Sequence, residues 1–323
     1  MLINLYKTKT PIAIVSLPLL IALLALTIFL HDSPHEIHPF SWESHMVNFV
    51  HSLPWLNYVL TVLGISITAL QLNNVVNNYG FYTKNSYLPG FIFTLFMISF
   101  NQFHFSLSLI AYALCSFAIG YLFRITRQED AKSDIFMASI FIGISIVLTP
   151  VLLPIIFIPW ITLTMFRSFV WREWFLTLIG YALPWAYYYS IIFISTGKIT
   201  YEKEGLALVH KSIQLDWLHL LYYALIFFIL LVSFWQFLIV MRSQLIRFKK
   251  RSRILFHIIW ISVVIGIGYW YLYDTINILF VLPLSIIVSV QILYSTKLFT
   301  ANLLIGIWFA SAVIYQLTTI AAS

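Results

Sequence analysis

The chain has 323 residues, of which 61% are hydrophobic, 18% aromatic and only 9% charged. Soluble globular domains carry about 25% charged residues, so this composition excludes an ordinary soluble protein. It predicts an all-α, polytopic membrane protein, with residues 1–323 as one integral membrane domain and no soluble domain. The formal net charge of +7 is then explained by basic loops rather than by an acidic soluble partner.

The apolar runs predict about eleven transmembrane helices. Residues 11–30 form the first, because about twenty apolar residues can span the hydrocarbon core and no small-residue cleavage site follows them. The other crossings are expected near residues 55–72, 88–99, 106–123, 135–166, 174–195, 217–241, 254–273, 276–294 and 299–320.

Residues 135–166 are too long for one helix. As a single rod they would extend about 48 Å, well beyond the roughly 30 Å hydrocarbon core. Pro150, Pro154 and Pro159 also interrupt a straight helix. We therefore predict a hairpin of two short helices that turns at residues 149–154.

The lysines and arginines set the expected orientation. With the N-terminus in the cytoplasm and the C-terminus in the periplasm, only Lys198, Lys203 and Lys211 of the 18 basic residues lie outside. A single crossing at 135–166 would instead turn the basic run at 242–253 outward. The basic run then meets anionic lipid head groups on the cytoplasmic side, and no nucleic-acid partner is expected.

Three histidines stand close together after the first helix. Their spacings of four and three would place them on one helical face, but Pro34 and Pro39 interrupt such a helix. Two interpretations stay open for them, a metal site and interfacial polar residues, and no metal or other cofactor is expected. The three are His31, His35 and His38.

An amphipathic helix is expected near residues 40–53. Its apolar side chains recur at helical spacing, so the helix should lie flat on the outer leaflet as an anchor or as one wall of a site open to head groups. These side chains are Trp42, Met46, Phe49, Val50 and Leu53.

The outer acids suggest a catalytic role. Asp32 directly follows the first helix, where a carboxylate could take a proton from an acceptor hydroxyl while a polyprenyl-phosphate sugar donor lies in the bilayer. Glu36 and Glu43 are alternatives for the same role. The donor phosphate would need cationic or hydrogen-bonding groups, and the candidates on the outer side are His104, Lys198, Lys203, His210 and Lys211.

Neutral polar residues mark two further features. The asparagines around Lys84 stand in an expected loop, where they either hydrogen-bond the backbone or form a ligand site; they are Asn73, Asn74, Asn77, Asn78 and Asn85. Within the spans, Gln236, Gln291 and Gln316 are expected to form hydrogen bonds between helices.

The order of the segments resembles that of GT-C type glycosyltransferases, which use lipid-linked sugars. In both, one helix is followed by an outer loop with acids, a flat helix and many spans. Residues 136–189 are also similar to the part of those enzymes where short helices precede an arginine-containing turn and a span with a Leu-Pro-Trp element, here Leu183, Pro184 and Trp185. The whole chain further resembles an uncharacterised multipass family of Gram-negative inner membranes, notably at residues 72–89.

Three functions therefore stay open. The resemblance implies a membrane transferase that acts on a polyprenyl-phosphate-linked sugar at the periplasmic face. The alternatives are a non-enzymatic subunit or scaffold of a cell-envelope complex, with a membrane-protein partner, and a lipid or amphiphile transporter. No formal charge falls at mid-membrane, where ion-coupled transporters and proton pumps usually keep one.

Overall fold

The computed structural model describes residues 6–7, 11–26, 41–82, 85–126, 131–197, 217–273, 277–295 and 298–322, and within these ranges it contains helices and no strand. A 3-10 segment, Pro150–Ile156, joins two of the α-helices. The α-helices are α1 (Pro11–Ala25), α2 (Ser41–His51), α3 (Pro54–Asn78), α4 (Leu88–Ser99), α5 (Leu107–Ile125), α6 (Lys132–Leu148), α7 (Phe157–Phe166), α8 (Trp171–Thr196), α9 (Trp217–Ser243), α10 (Ile246–Tyr273), α11 (Val281–Tyr294) and α12 (Leu298–Ala322).

The composition and exposure of the helices match a membrane protein. Five helices (α3, α5, α8, α9 and α10) are long and apolar enough to cross a membrane. The two least buried of these, α8 and α9, expose large apolar side chains such as Phe175, Ile191 and Trp235. Lipid would cover such a surface, since soluble monomers rarely expose large contiguous apolar patches.

Positive charge collects at one end of the bundle, which we call the basic end. Arg251, near the start of α10, donates from Nη1 to the carbonyl of Tyr79 after α3 and from Nε to Oγ1 of Thr126 after α5, at 3.3 Å. These contacts bring the ends of three helices together. Every lysine and arginine in the described ranges lies at this end, namely Lys7, Arg124, Lys132, Arg167, Arg172, Arg242, Arg247, Lys249, Lys250, Arg251 and Arg253.

The predicted break in residues 135–166 is confirmed. Helix α6 ends at Leu148, and the 3-10 segment that follows begins at Pro150, whose ring cannot donate a backbone hydrogen bond. The beginning and the end of residues 135–166 both lie at the basic end. Asp134 is 3.9 Å from Arg124, and Lys250 Nζ lies 5.6 Å from the ring centre of Phe166. The segment is therefore a hairpin, as its length and prolines predicted.

Helices α6 and α8 approach each other closely at small residues. A Cβ atom on Gly180 would lie 2.6 Å from Cβ of Ser139, and one on Gly143 would lie 3.0 Å from Cγ of Pro184. Small residues allow such close backbone approach between membrane helices. This contact joins the hairpin to the peripheral helix α8.

Two short helices form the centre. All twelve residues of α4 are buried, and so are all residues of α11 except Leu284 and Tyr294. At 1.5 Å per residue α4 is about 18 Å long, shorter than the hydrocarbon core, so its ends need polar partners within the protein. The N-terminal end has such a partner, because the Gly90 amide donates to Oδ1 of Asn73 at 2.7 Å.

Two expected helix boundaries were wrong. Helix α3 continues to Asn78 rather than ending near residue 72, and α10 begins at Ile246 rather than near residue 254. Tertiary contacts explain both extensions, because the asparagines of α3 bond to the next segment and Phe248, Arg251 and Ser252 of α10 are buried. Some polar residues of these stretches have buried partners, as Asn73 and Arg251 do, and the stretches are helical rather than loops.

The amphipathic helix is present as α2, but its apolar face is divided. Val47 and Val50 pack against Phe105 and Leu107 at the end opposite the basic end. Met46 and Phe49 on α2 are exposed. Val50 was expected to face lipid, and it contacts protein instead.

Candidate functional site

Most of the predicted outer site lies outside the described residues. These positions are Asp32, Glu36, Lys198, Lys203, His210 and Lys211, together with His31, His35 and His38. Glu43 belongs to the first turn of α2. The catalytic role of the three acids therefore stays a prediction. Among the described residues, no three histidine, cysteine, aspartate or glutamate side chains are grouped so as to hold a metal ion.

His104 is the one predicted phosphate-binding residue in the described part, and it is buried. Its ring centre lies 6.3 Å from that of His51 in an edge-to-face arrangement. His51 Nε2 is 2.8 Å from the carbonyl oxygen of Phe105, and the Phe105 amide donates to Oδ1 of Asn57 at 2.9 Å. His104 thus belongs to the packing that holds α2 against the start of α5.

A polar pocket lies at the basic end, between the last turns of α3 and α5. Its volume is about 180 Å³. Amide, phenol and guanidinium groups form much of its wall, which is unusual for a surface between two apolar helices. The lining residues are Gln71, Asn74, Val75, Asn78, Tyr79, Phe117, Gly120, Tyr121 and Arg124.

The asparagines of α3 lie on two faces of the helix. One pair bonds the segment that follows α3, and the other pair lines the pocket. Asn77 holds the backbone of Ser86, accepting from its amide at 2.8 Å and donating to its carbonyl at 3.2 Å. Asn73 bonds the start of α4, as described above. Asn74 and Asn78 lie on another face of α3 and line the pocket. The backbone-bonding interpretation is confirmed for Asn73 and Asn77, and the ligand-site interpretation stays a prediction for Asn74 and Asn78.

Arg124 places a positive charge in the pocket wall. Its Nε donates to the hydroxyl of Tyr79 at 3.1 Å, and its guanidinium carbon lies 5.1 Å from the ring centre of Tyr121. Asp134 is at 3.9 Å, and 53% of the Arg124 side chain is still exposed. A partly exposed guanidinium with an ion pair this long keeps donors for a ligand, and planar guanidinium is well suited to phosphate.

Asp134 lies outside the five long apolar helices, and burial raises the pKa of its carboxyl. The positive charge of Arg124 opposes that rise. Any loss of charge on Asp134 would leave the pocket more positive, which favours an anionic ligand.

Arg251 supports the pocket from behind. It is 2% exposed, and its guanidinium lies 5.5 Å from the ring centre of Tyr79 in addition to its bonds with Tyr79 and Thr126. Tyr79 therefore contacts two arginines, Arg124 at its hydroxyl and Arg251 at its ring. This arrangement fixes the position of the phenol that holds Arg124.

An apolar stripe continues from the pocket along α3. It consists of exposed side chains at helical spacing that run toward the opposite end of the bundle. The pocket residues Gln71, Asn74 and Asn78 extend the same face of the helix. The stripe is formed by Trp55, Val59, Leu63, Ile67 and Leu70.

The glutamines within the spans form the expected interhelical contact. Gln291 of α11 donates from Nε2 to Oε1 of Gln236 on α9, and Ser233 Oγ lies 3.5 Å from Gln291 Oε1. They border a smaller cavity of about 50 Å³ that carries no charged side chain. The prediction of an interhelical hydrogen bond is confirmed for this pair.

The sequence prediction missed Gln71, Tyr121 and Arg124 as pocket residues. The signal available was the spacing of Gln71, Asn74 and Asn78, which are three and four residues apart and share a face only if the stretch is helical. Treating the stretch as a loop concealed that pattern.

One family model matches residues 1–322, and it is described as a family of unknown function, DUF6427. Since the match covers nearly the whole chain, the chain belongs to this family. No curated protein matches the chain, and no solved structure does.

Proposed function

We propose that this DUF6427 member is a multipass membrane protein that binds a phosphate-bearing lipid, with the head group in the pocket between α3 and α5. The observation that carries the proposal is the continuity of a cationic, amide-lined pocket with an exposed apolar stripe on the same helix. The proposal places the basic end in the cytoplasm by the positive-inside rule and keeps eleven crossings of a bacterial inner membrane.

The charge of the pocket favours an anionic head group. The phosphate would accept hydrogen bonds from Arg124, and bonds between charged groups are the strong ones. Amine head groups are disfavoured, because an ammonium would meet the same positive charge. The tyrosine rings that could otherwise attract it already contact guanidinium groups, Tyr121 with Arg124 and Tyr79 with Arg251.

The apolar stripe favours a lipid over a free phosphate compound. Gln71 and Asn78 are seven residues apart, so the pocket extends about 10 Å along α3 from the basic end. Beyond it the exposed side chains of Leu70, Ile67 and Leu63 continue along the face of the helix. An acyl or prenyl chain could lie along them while its head group stays at the interface.

The proposal is tested by replacing Arg124 with glutamine. We expect the affinity for phosphatidylglycerol and phosphatidic acid to fall about tenfold or more, since a hydrogen bond to a charged group contributes about 1.5–3 kcal/mol. Native mass spectrometry of the detergent-purified protein with added lipid measures this directly.

The matched control is Arg172→Gln, which also removes one positive charge from the basic end. Arg172 lies beside the ring of Trp171, as Arg124 lies beside that of Tyr121. The control should leave lipid binding unchanged. Equal binding by wild type and Arg124→Gln, or equally tight binding of phosphatidylcholine, would contradict the proposal.

The transferase at the periplasmic face is a second proposal, supported by the presence of α2 and of the hairpin. It is tested by replacing Asp32, Glu36 and Glu43 singly with asparagine or alanine and measuring transfer from a polyprenyl-phosphate sugar in membranes. One of the replacements should abolish the transfer. Full transfer by all of them would reject this proposal without affecting the lipid pocket.

A further inference from the structure

The amide groups of the pocket form a connected row. On α3, Asn78 Nδ2 donates to Asn74 Oδ1 at 2.5 Å, and Asn74 Nδ2 lies 3.5 Å from Gln71 Oε1. Gln71 Nε2 lies 3.4 Å from the position that a Cβ on Gly120 would take, so it faces the pocket floor. Three amides are thus aligned along one wall.

A row of amides is poorly matched to a phosphate alone. Each amide has two N–H donors and a carbonyl with two lone pairs, so one bond to a neighbour uses only part of its capacity. An ionised phosphate oxygen accepts hydrogen bonds and donates none, so it cannot bond Oδ1 of Asn78 or the second lone pairs of Asn74 Oδ1 and Gln71 Oε1. A hydroxyl group both donates and accepts, so it can bond either end of an amide.

The size of the pocket leaves room beyond a phosphate. Its volume of about 180 Å³ is many times the roughly 15 Å³ that a single water requires. Gln71 lies deeper along α3 beside Gly120, on the side of the apolar stripe, while Asn78 is next to Tyr79 at the basic surface. A phospholipid whose chain follows the stripe would therefore place its phosphate beside Arg124 and its terminal head group beside Asn74 and Asn78.

We propose that the pocket selects a phospholipid whose phosphate carries a neutral polyhydroxyl group, such as the glycerol of phosphatidylglycerol. This inference rests on the proposed function. Arg124 binds the phosphate, and Asn74 and Asn78 bind the hydroxyl groups. The selected lipid differs from phosphatidic acid only in the hydroxyl-bearing group, so the two lipids separate this inference from simple charge attraction.

Binding of the two lipids by native mass spectrometry tests the inference. The second pKa of a phosphate monoester is near 6, so phosphatidic acid has more negative charge at neutral pH and charge alone would favour it. We expect the opposite order, with phosphatidylglycerol bound about tenfold more tightly, a difference that one or two net hydrogen bonds supply. Phosphatidic acid binding as tightly or more tightly would overturn the inference and leave the proposed function standing.

Two variants test whether the amides cause the preference for phosphatidylglycerol over phosphatidic acid. Asn74→Leu should bring the two affinities close to equal while the affinity for phosphatidic acid stays the same. The control Asn48→Leu changes an exposed asparagine on α2, at the opposite end, and should keep the preference. An unchanged preference in Asn74→Leu would overturn the assignment of the hydroxyl groups to this row.

Two further outcomes test whether the ligand is a lipid or a soluble phosphate compound, and whether the proposed function itself holds. Soluble glycerol 3-phosphate should compete only weakly, because it lacks the chain that follows the α3 stripe; equal competition would overturn the lipid as occupant. Binding of neither phospholipid would reject the proposed function and this inference together.

Discussion

Gly180→Ala is expected to lower the free energy of unfolding by about 1–3 kcal/mol, the usual cost of forcing extra volume into a packed interface. The new Cβ would lie 2.6 Å from Cβ of Ser139 and 3.2 Å from the carbonyl oxygen of Phe136. Neither atom can rotate away, because one is fixed to the α6 backbone and the other belongs to it. Helices α6 and α8 must therefore separate.

The measurement is the fraction of detergent-purified protein that stays monodisperse after heating. Gly268→Ala and Gly306→Ala are matched controls, since a Cβ at either helical glycine would meet nothing within 4 Å. Alanine is favoured over glycine in helices by about 1 kcal/mol, so the controls should be neutral or stabilising. A Gly180→Ala protein as heat-resistant as the controls would show that α6 and α8 do not approach this closely.

The hairpin and the basic end could be predicted because their causes are local. Pro150 lacks the amide hydrogen that a continuing helix needs, and the position of a lysine or arginine next to an apolar run is visible in the chain itself. The structure agrees with the sequence at both. Helical composition, the break after Leu148 and the amphipathic α2 required no knowledge of tertiary contacts.

The pocket could not be predicted, because it depends on two sets of tertiary contacts. Asn73 and Asn77 stabilise the last turns of α3 by bonding the backbone of Gly90 and Ser86, and this keeps a stretch helical that its asparagines alone indicate as a loop. The other set is the pairing of α3 with α5, which brings Arg124 to the side of Asn74. Sequence spacing within one helix carries no information about that pairing.

His104, a described member of the predicted outer site, packs with α2 at the end of the bundle opposite the pocket, so the two hypotheses can be tested independently. Asp32 and Glu36 are outside the described residues, and His104 is buried against α2. The pocket at the basic end is formed by side chains that the structure describes, including the hydrogen-bonded Arg124 and Tyr79. It is compatible with each function left open by the sequence, because a transferase, a scaffold and a transporter can all hold a lipid.

Filling the pocket should abolish lipid binding. Gly120→Val would place two methyl groups in the floor beside Gln71 and Val75, whose nearest atoms lie 3.4 and 3.6 Å from the new Cβ. The head group would lose its space while Arg124 keeps its charge. Gly120→Ala adds only a Cβ at those distances and should weaken binding less, whereas Gly306→Val, far from the pocket, should bind as the wild type does.

The most direct measurement of the central claim is the amount of phosphatidylglycerol bound to wild type, Gly120→Val and Gly306→Val, taken by native mass spectrometry alongside their thermal stability. We predict bound lipid on wild type and Gly306→Val and its loss from a Gly120→Val protein that remains folded. Undiminished lipid on a folded Gly120→Val protein would contradict a head group in the pocket between α3 and α5.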